Sequence, residues 1–297
     1  MFDALLFRPI FNLLAGIYAI IPGHDFGVAI IIFTVVVRFA MWPMVRKQLH
    51  NTKVMRKLQP EMKEIKKKYK GDRQGESLAV MELYKRNGVS PFTTFGLLLI
   101  QLPIFIALFS ALRGIINDPT ELTTRTYSFI QNLPFMRDLA SGAESFNPSF
   151  LGFVDVTNYA WNEGTIVWAG MIIALLAGAF QFLVAKQLQP DDDGEERKTM
   201  RQVIKEAQEK GEEPDMSEVQ ANTARRMALF MPGLIVIISA VSPVGLAIYF
   251  ASSGAAGYLQ QRYVLSKDVE EMEEMNVKTT VRTTSSSTKK KASDRKK

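Results

Sequence analysis

The group best placed to do chemistry in this sequence is a guanidinium that stands among apolar side chains. Arg38 lies inside the run from Phe26 to Pro43, which is apolar enough and long enough to cross a bilayer. A charge at membrane depth is costly, so such residues face a bundle interior or water and mark a functional path. A second reading stands beside it: Arg38 lies shortly before Pro43, and its long stem can carry the charge to the near interface. Two side-chain amides, Gln101 and Gln181, also sit in apolar runs. Gln101 is close to Pro103, whose ring frees a mid-span carbonyl that some neighbour must satisfy. Its plainer role is hydrogen bonding between helices, worth about 1 kcal/mol or less.

Other chemistries find no footing. The chain has no cysteine, hence no disulfide framework, thiolate or cysteine-based metal site. His24 and His50 are far apart at segment edges and read as solvent-facing. No Gly-rich phosphate loop, paired acids or nucleophile arrangement occurs. Neither an enzyme nor a cofactor is expected.

The elements that must position Arg38 are legible as alternating blocks. Hydrophobic residues make up 47% of the chain and charged ones 22%, segregated into apolar runs and charged stretches. That is a multi-pass membrane pattern, although mean hydropathy is close to zero. Residues 1–25 read as an amphipathic helix lying in the interface and a turn at Pro22-Gly23-His24-Asp25, with a crossing helix as the alternative. The basic n-region and small-residue site of a cleaved signal are lacking, so an uncleaved segment is expected. The first span is 26–43. Residues 44–90 carry 13 basic against 5 acidic side chains. Leu58, Met62, Ile65 and Tyr69 fall at helical spacing, Leu78, Met81, Leu83 and Tyr84 form a shorter stripe, and Gly71-Asp72 marks a turn. A helical hairpin bent at Pro60 is predicted. Charge of this density fits RNA or anionic lipid, or else a solvated face that only fixes orientation.

The second span is 91–113 and the third 165–185, where Gly170, Ala174, Ala177, Gly178 and Ala179 suit close helix packing. Residues 227–261 hold the fourth and fifth spans, parted by Ser242-Pro243, and the fourth is short enough to need tilt or a thin bilayer. The loop 114–164 has 2 basic and 6 acidic residues, and the polar stretch 186–226 has 8 and 11. The latter is expected to be a flexible loop with a transient helix. Residues 262–297 read as a disordered basic tail, an arm for acidic surfaces. Basic residues concentrate in 44–90 and in the tail, so the N-terminus is expected outside and the C-terminus in the cytoplasm.

The order of these features resembles one family. Arg38 in a span ending at Trp42-Pro43 is followed by Leu58-Gln59-Pro60-Glu61, Leu83-Tyr84-Lys85 and Gly88-Val89-Ser90-Pro91. With Leu99-Ile100-Gln101-Leu102-Pro103-Ile104-Phe105-Ile106-Ala107, this series is similar to the YidC insertases from about Pro9 to Tyr263. The resemblance implies an all-α membrane protein, with five transmembrane helices around a hydrophilic groove open to cytoplasm and lipid. An interfacial N-terminal helix and a lipid-facing cytoplasmic hairpin would flank that core. It implies a substrate groove at Arg38 and Gln101, with Gln181 matching less firmly and Tyr249 at an aromatic position that substrates touch in relatives. It also implies a tail that contacts the ribosome, here through Lys289, Lys290, Lys291, Arg295, Lys296 and Lys297. The stretch 186–226 is longer than the family's usual loop, and without cysteine the lipoprotein form of some relatives is not expected.

The implied function is insertion and folding of newly made integral membrane proteins in the bacterial plasma (inner) membrane, alone or with the Sec translocon. Partners would be nascent membrane proteins, the ribosome and the lipid bilayer, with no nucleic acid beyond ribosomal RNA. Two other classes stay open. A small transporter or channel could use Arg38 as an anion or proton site, but it wants a second ionisable group where the other spans offer only Gln, Ser, Thr and Tyr. A membrane scaffold could recruit ribosomes through the tail.

Overall fold

The computed structural model describes residues 3–69, 71–90, 93–162, 164–187, 199–210 and 216–267. The tail lysines and arginines named above lie outside them. A short π-helix, Asp3–Phe7, runs into α1, Arg8–Ile20, and together they are long and apolar enough to cross a membrane. Phe11, Leu14, Ala15 and Tyr18 are buried in the main core, while Leu5, Leu13 and Ile20 are exposed. Asn12, the polar break in this run, is also buried. It donates to the Arg8 carbonyl at 2.8 Å and accepts from the Tyr127 backbone N–H at 2.5 Å, which satisfies it.

Asp25 caps α2, Phe26–Ala40, by accepting from the Val28 N–H at 2.9 Å. The helix ends earlier than the expected boundary at Pro43. Pro43 has no N–H to bond back to Phe39, so the chain bends by 60° and restarts as α3, Trp42–Lys57. A further break falls at Leu58, where Gln59-Pro60 opens α4, Gln59–Lys68. Gly71, at φ +92°, makes the turn to α5, Arg73–Arg86, which Asp72 caps through the Gly75 N–H. Leu58, Leu83 and Val89 form a small separate core with Met62 and Tyr84 packed on it. The Tyr84 hydroxyl donates to Met62 Sδ at 3.2 Å, and burial raises its pKa.

Helix α6, Thr93–Asn117, contains Pro103. The following loop is folded rather than irregular: α7 (Glu121–Thr124), α8 (Ser128–Gln131) and α9 (Pro134–Ser141) precede two antiparallel hairpins. These are β1 (Ser149–Phe150) with β2 (Val154–Asp155), and β3 (Trp161–Asn162) with β4 (Thr165–Ile166). Then come α10 (Trp168–Gln187), α11 (Met200–Lys210), α12 (Met216–Ala240) and α13, residues 244–267. Residues 216–226, expected in a loop, form the first part of α12. They are rich in Ala, Glu, Gln, Arg and Met, which propagate a helix readily, so the fourth apolar stretch is the end of a longer rod.

Small residues set the packing of α10 on α12. A Cβ on Gly178 would lie 3.2 Å from the Pro232 carbonyl oxygen, and Gly170, Ala174 and Ala177 are buried as well. Ala179 is exposed instead. The folded loop is stapled to one end of the bundle. Leu151 N–H donates to Asp25 at the start of α2, Val244 N–H to the Asn158 carbonyl at 2.7 Å, and Gly245 N–H to the Val156 carbonyl at 2.9 Å.

Candidate functional site

Arg38 sits in the last turn of α2, just before the bend, and its side chain crosses to α13. Nε and Nη2 both donate to Ser253 Oγ, at 3.1 and 2.7 Å. One turn further along α13 is Gly257. A Cβ there would lie 3.1 Å from Arg38 Nη1 and 3.2 Å from Cζ and Nη2, so the guanidinium rests over bare backbone. One turn beyond, Gln260 Nε2 donates to the Arg38 carbonyl over a long 3.5 Å. Ser253, Gly257 and Gln260 are spaced by four and then three residues, which places them in one stripe of the helix.

The stripe continues backwards to Tyr249, one turn before Ser253 and only 2% exposed. Its hydroxyl accepts from Gln101 Nε2 at 2.6 Å. Gln101 therefore directs its amide to α13 rather than to the carbonyl freed by Pro103. The result is a polar row drawn from three helices: Gln101 on α6, Tyr249 and Ser253 on α13, and Arg38 on α2.

Gln181 does not join this row by any hydrogen bond among the described residues. Helix α10 approaches α13 at Gly254, where a Cβ would lie 2.8 Å from Phe180 Cβ and 3.5 Å from the Gln181 nitrogen. Backbone and Phe180 make that contact, and the Gln181 side chain is left half-buried beside it. Ser253, Gly257 and Gln260 were not singled out from the sequence. The signal was present as a Tyr-Ser-Gly-Gln series at helical spacing inside the last apolar run.

Charge is the unusual property of the row. Among the described residues no carboxylate lies within ion-pairing distance of Arg38, and its two bonds to one hydroxyl leave other guanidinium N–H groups without an acceptor. A half-buried cation in this state attracts an incoming carboxylate more strongly than the same pair in bulk water, where two charges at 4 Å gain only about 1 kcal/mol. Among the described residues, the oxygens Gln260 Oε1, beside Arg38, and Gln261 Oε1, next to it on α13, are buried and have no partner. Such atoms demand one, so this part of the bundle suits polar contents. A pocket of about 170 Å³ lies away from Arg38, at the loop end, lined by Arg113, Tyr159, Pro243 and Leu246 among others.

A sequence model of the family described as 60Kd inner membrane protein matches residues 17–271. The chain is similar to the membrane protein insertase YidC of Streptomyces avermitilis, at 27% identity over 251 residues, covering 82% of this chain and 52% of the relative. Against that of Thermotoga maritima it is 34% identical over 164 residues, covering 54% of this chain and 34% of the relative. Against that of Geobacter metallireducens the identity is 38% over 109 residues, covering 37% and 20%. The chain thus spans between a fifth and about half the length of these relatives. A crystal structure described as an active YidC insertase with the first transmembrane domain resolved aligns at 22% identity and a TM-score of 0.48, covering 87% of this chain and 46% of that one.

Proposed function

The chain belongs to the 60Kd inner membrane protein family, the family of the YidC insertases, and from that premise we propose that it inserts newly made membrane proteins and assists their folding. The observation that carries the reading is the Arg38 guanidinium, oriented by a neutral hydroxyl and not neutralised by any carboxylate among the described residues. Moving a polar flank through hydrocarbon leaves backbone groups unsatisfied, each at several kcal/mol. A wet groove reaching into the membrane shortens that path, and Arg38 draws the acidic residues of a short flank to its inner end. The row Tyr249–Gln101 supplies further polar contacts along the way. The client's apolar segment then leaves sideways into lipid, driven by partition and by the membrane potential, without nucleotide or covalent chemistry.

In this reading five spans surround the groove: α2 with the start of α3, α6, α10, the apolar end of α12, and α13. The N-terminus lies outside, the segment through α4 and α5 and the basic tail lie in the cytoplasm, and α1 lies along the outer interface. The tail, beyond the described residues, docks acidic ribosomal surfaces, and the Sec translocon is an accessory partner.

The test uses the cysteine-free chain. A membrane-impermeant maleimide should label an Arg38→Cys variant far faster than a Val36→Cys variant, whose position faces outward from the bundle. Equal, slow labelling would remove the groove from the reading. Removing residues 268–297 should abolish low-salt ribosome binding while leaving insertion of post-translational clients intact.

A further inference from the structure

The loop hairpins carry apolar side chains that no packing among the described residues explains. Leu151 and Phe153, at the tip joining β1 to β2, are 58% and 75% exposed. Leu151 also holds a left-handed backbone, φ +54°, a conformation that non-glycine residues adopt uncommonly and that persists where the surroundings impose it. Two anchors impose it here. The Leu151 N–H donates to Asp25 Oδ2 at 2.6 Å, and Phe150 packs on Gly27, where a Cβ would lie 2.7 Å from the ring's Cγ. The tip is thereby fixed at the level of the first turn of α2, where the apolar span begins.

The second hairpin reaches the same level on another helix. Trp161 is the cross-strand partner of Ile166, and both are exposed. Two residues later the chain enters α10 at Trp168, 70% exposed. Trp168 stands one turn before Ile172 and shares its helix face, which continues outward through the exposed Leu175 and Leu176. The aromatic surface of this hairpin is thus continuous with the apolar outer face of a membrane-length helix.

We propose that both hairpins insert into the headgroup–acyl boundary of the bilayer, with Leu151, Phe153, Trp161 and Trp168 as the inserted side chains. Amphipathic aromatic rings concentrate at that depth, and the first tip, Phe150-Leu151-Gly152-Phe153, brings no charge with it. The lipid surface is the partner that fits because the two patches start at the mouths of α2 and α10 and run on into their outward faces. The loop then braces the ends of both helices against tilting while α13, held by Asn158 and Val156, stays in register with them. This inference rests on the chain's residence in a membrane and not on its insertase activity.

Tryptophan depth measurement tests it in the full chain, reconstituted in phosphatidylethanolamine–phosphatidylglycerol vesicles. One variant carries Phe153→Trp with Trp42, Trp161 and Trp168 replaced by Phe; a second retains Trp168 alone; a third carries Ile172→Trp alone, one turn deeper on the outward face of α10, as the lipid-facing reference. Bromine placed near the headgroup end of the acyl chains should quench roughly half or more of the emission from positions 153 and 168, and bromine near the terminal methyl distinctly less, as an interfacial depth requires. Aqueous iodide should quench both weakly. Position 153 open to iodide and untouched by brominated lipid, with position 172 quenched by lipid, overturns the proposal while leaving membrane residence intact. Protection from both quenchers also overturns it, because protein then covers the tip. Failure of lipid quenching at position 172 defeats the proposal and the membrane reading together. The variant retaining Trp168 keeps both hairpin sequences close to native, so misfolding of the Phe153→Trp chain does not shelter the idea.

Discussion

Placing a carboxylate beside Arg38 should switch off its attraction for acidic clients without dismantling the site. Ser253 Oγ receives Nε at 3.1 Å and Nη2 at 2.7 Å, the side of the guanidinium that a carboxylate grips with both oxygens. In Ser253→Asp the longer side chain brings two oxygens to the same edge, and the net charge of the pair falls to zero. A client carboxylate about 4 Å from the free guanidinium gains about 1 kcal/mol in water and about 4 kcal/mol at an effective dielectric near 20. Arg38 is half-buried, so an intermediate loss of about 2–3 kcal/mol is expected, a factor of roughly 30 to 150 in the preference for an acidic flank. The assay is protease protection of one client in proteoliposomes at low salt, with its translocated flank either acidic or converted to amides. Ser253→Asp should bring the acidic form down to the level of the amide form, and Ser253→Asn, similar in shape but neutral, should not. In an Arg38→Ala background the same aspartate should leave flank preference unchanged. If the acidic preference survives Ser253→Asp in a chain that melts normally, Arg38 does not act through its charge and the reasoning fails.

Other expectations follow from the same geometry. Gly257→Ala brings a methyl within 3.1–3.2 Å of three guanidinium atoms, so the flexible end of Arg38 must shift by a few tenths of an ångström. Insertion of acidic clients should fall modestly while the melting temperature barely moves, and a large loss of stability instead would mean that backbone, not the arginine, gives way. Tyr249→Phe removes the acceptor of the 2.6 Å bond from Gln101 and leaves a part-buried amide unmet, at a cost of about 1–3 kcal/mol. Gln101→Leu on top of it should recover part of that loss in a thermal melt. On the loop, exposed Asp118 accepts from the Thr120 hydroxyl at 2.6 Å and N–H at 3.0 Å, which lowers its pKa. A carboxylate lowered on folding stabilises above its unfolded pKa, and that support is lost as pH falls through the folded value. Hydrogen exchange in α7 should accelerate only below the ordinary carboxylate range, and Thr120→Val should move that onset to higher pH.

Arg38 was legible because a charge in an apolar run has few explanations, Gln101 because it is an amide close to Pro103 in another such run, and Tyr249 only through a resemblance in spacing. The partner that orients Arg38 was not. Serine and glycine are ordinary in membrane helices, and nothing local to Ser253 or Gly257 tells that residue 38 crosses to them. Pro43 announced a helix break, but whether the helix ends before or after it depends on where the freed carbonyl of Phe39 finds relief. The polar start of α12 misled in the opposite sense: hydropathy marks where a chain leaves lipid, not where a helix ends. The acidic loop hid its structure for a different reason. Leu122, Ile130, Met136, Val154 and Val156 are buried, yet they are spread over short turns and two-residue strands, so they show no period. Their burial is decided by elements far away in sequence: α1 covers Ile130 at Gly16, and α13 holds the Val156 carbonyl through the Gly245 N–H.

The choice of a hydroxyl beside Arg38 sets function against stability. A carboxylate would hold the guanidinium more firmly, but it would leave no net charge to offer a client. A hydroxyl orients the group and leaves the charge standing, so the fold carries a poorly compensated cation whose desolvation costs several kcal/mol when burial is complete. The two bonds to Ser253 return part of that, each about 1.5–3 kcal/mol for a charged donor, and the minor part of Arg38 that stays exposed reduces the penalty further. These terms nearly cancel, which separates two roles for Arg38. If it is kept for clients, Arg38→Met should melt no lower than the parent chain, or about 1 kcal/mol more stable, because a similar volume is filled without a charge to bury. The same variant should lose its discrimination between acidic and amide flanks. If instead Arg38→Met melts several degrees lower, the Ser253 contact is a staple between α2 and α13, and the arginine is held for the architecture of the bundle and not for what passes through it.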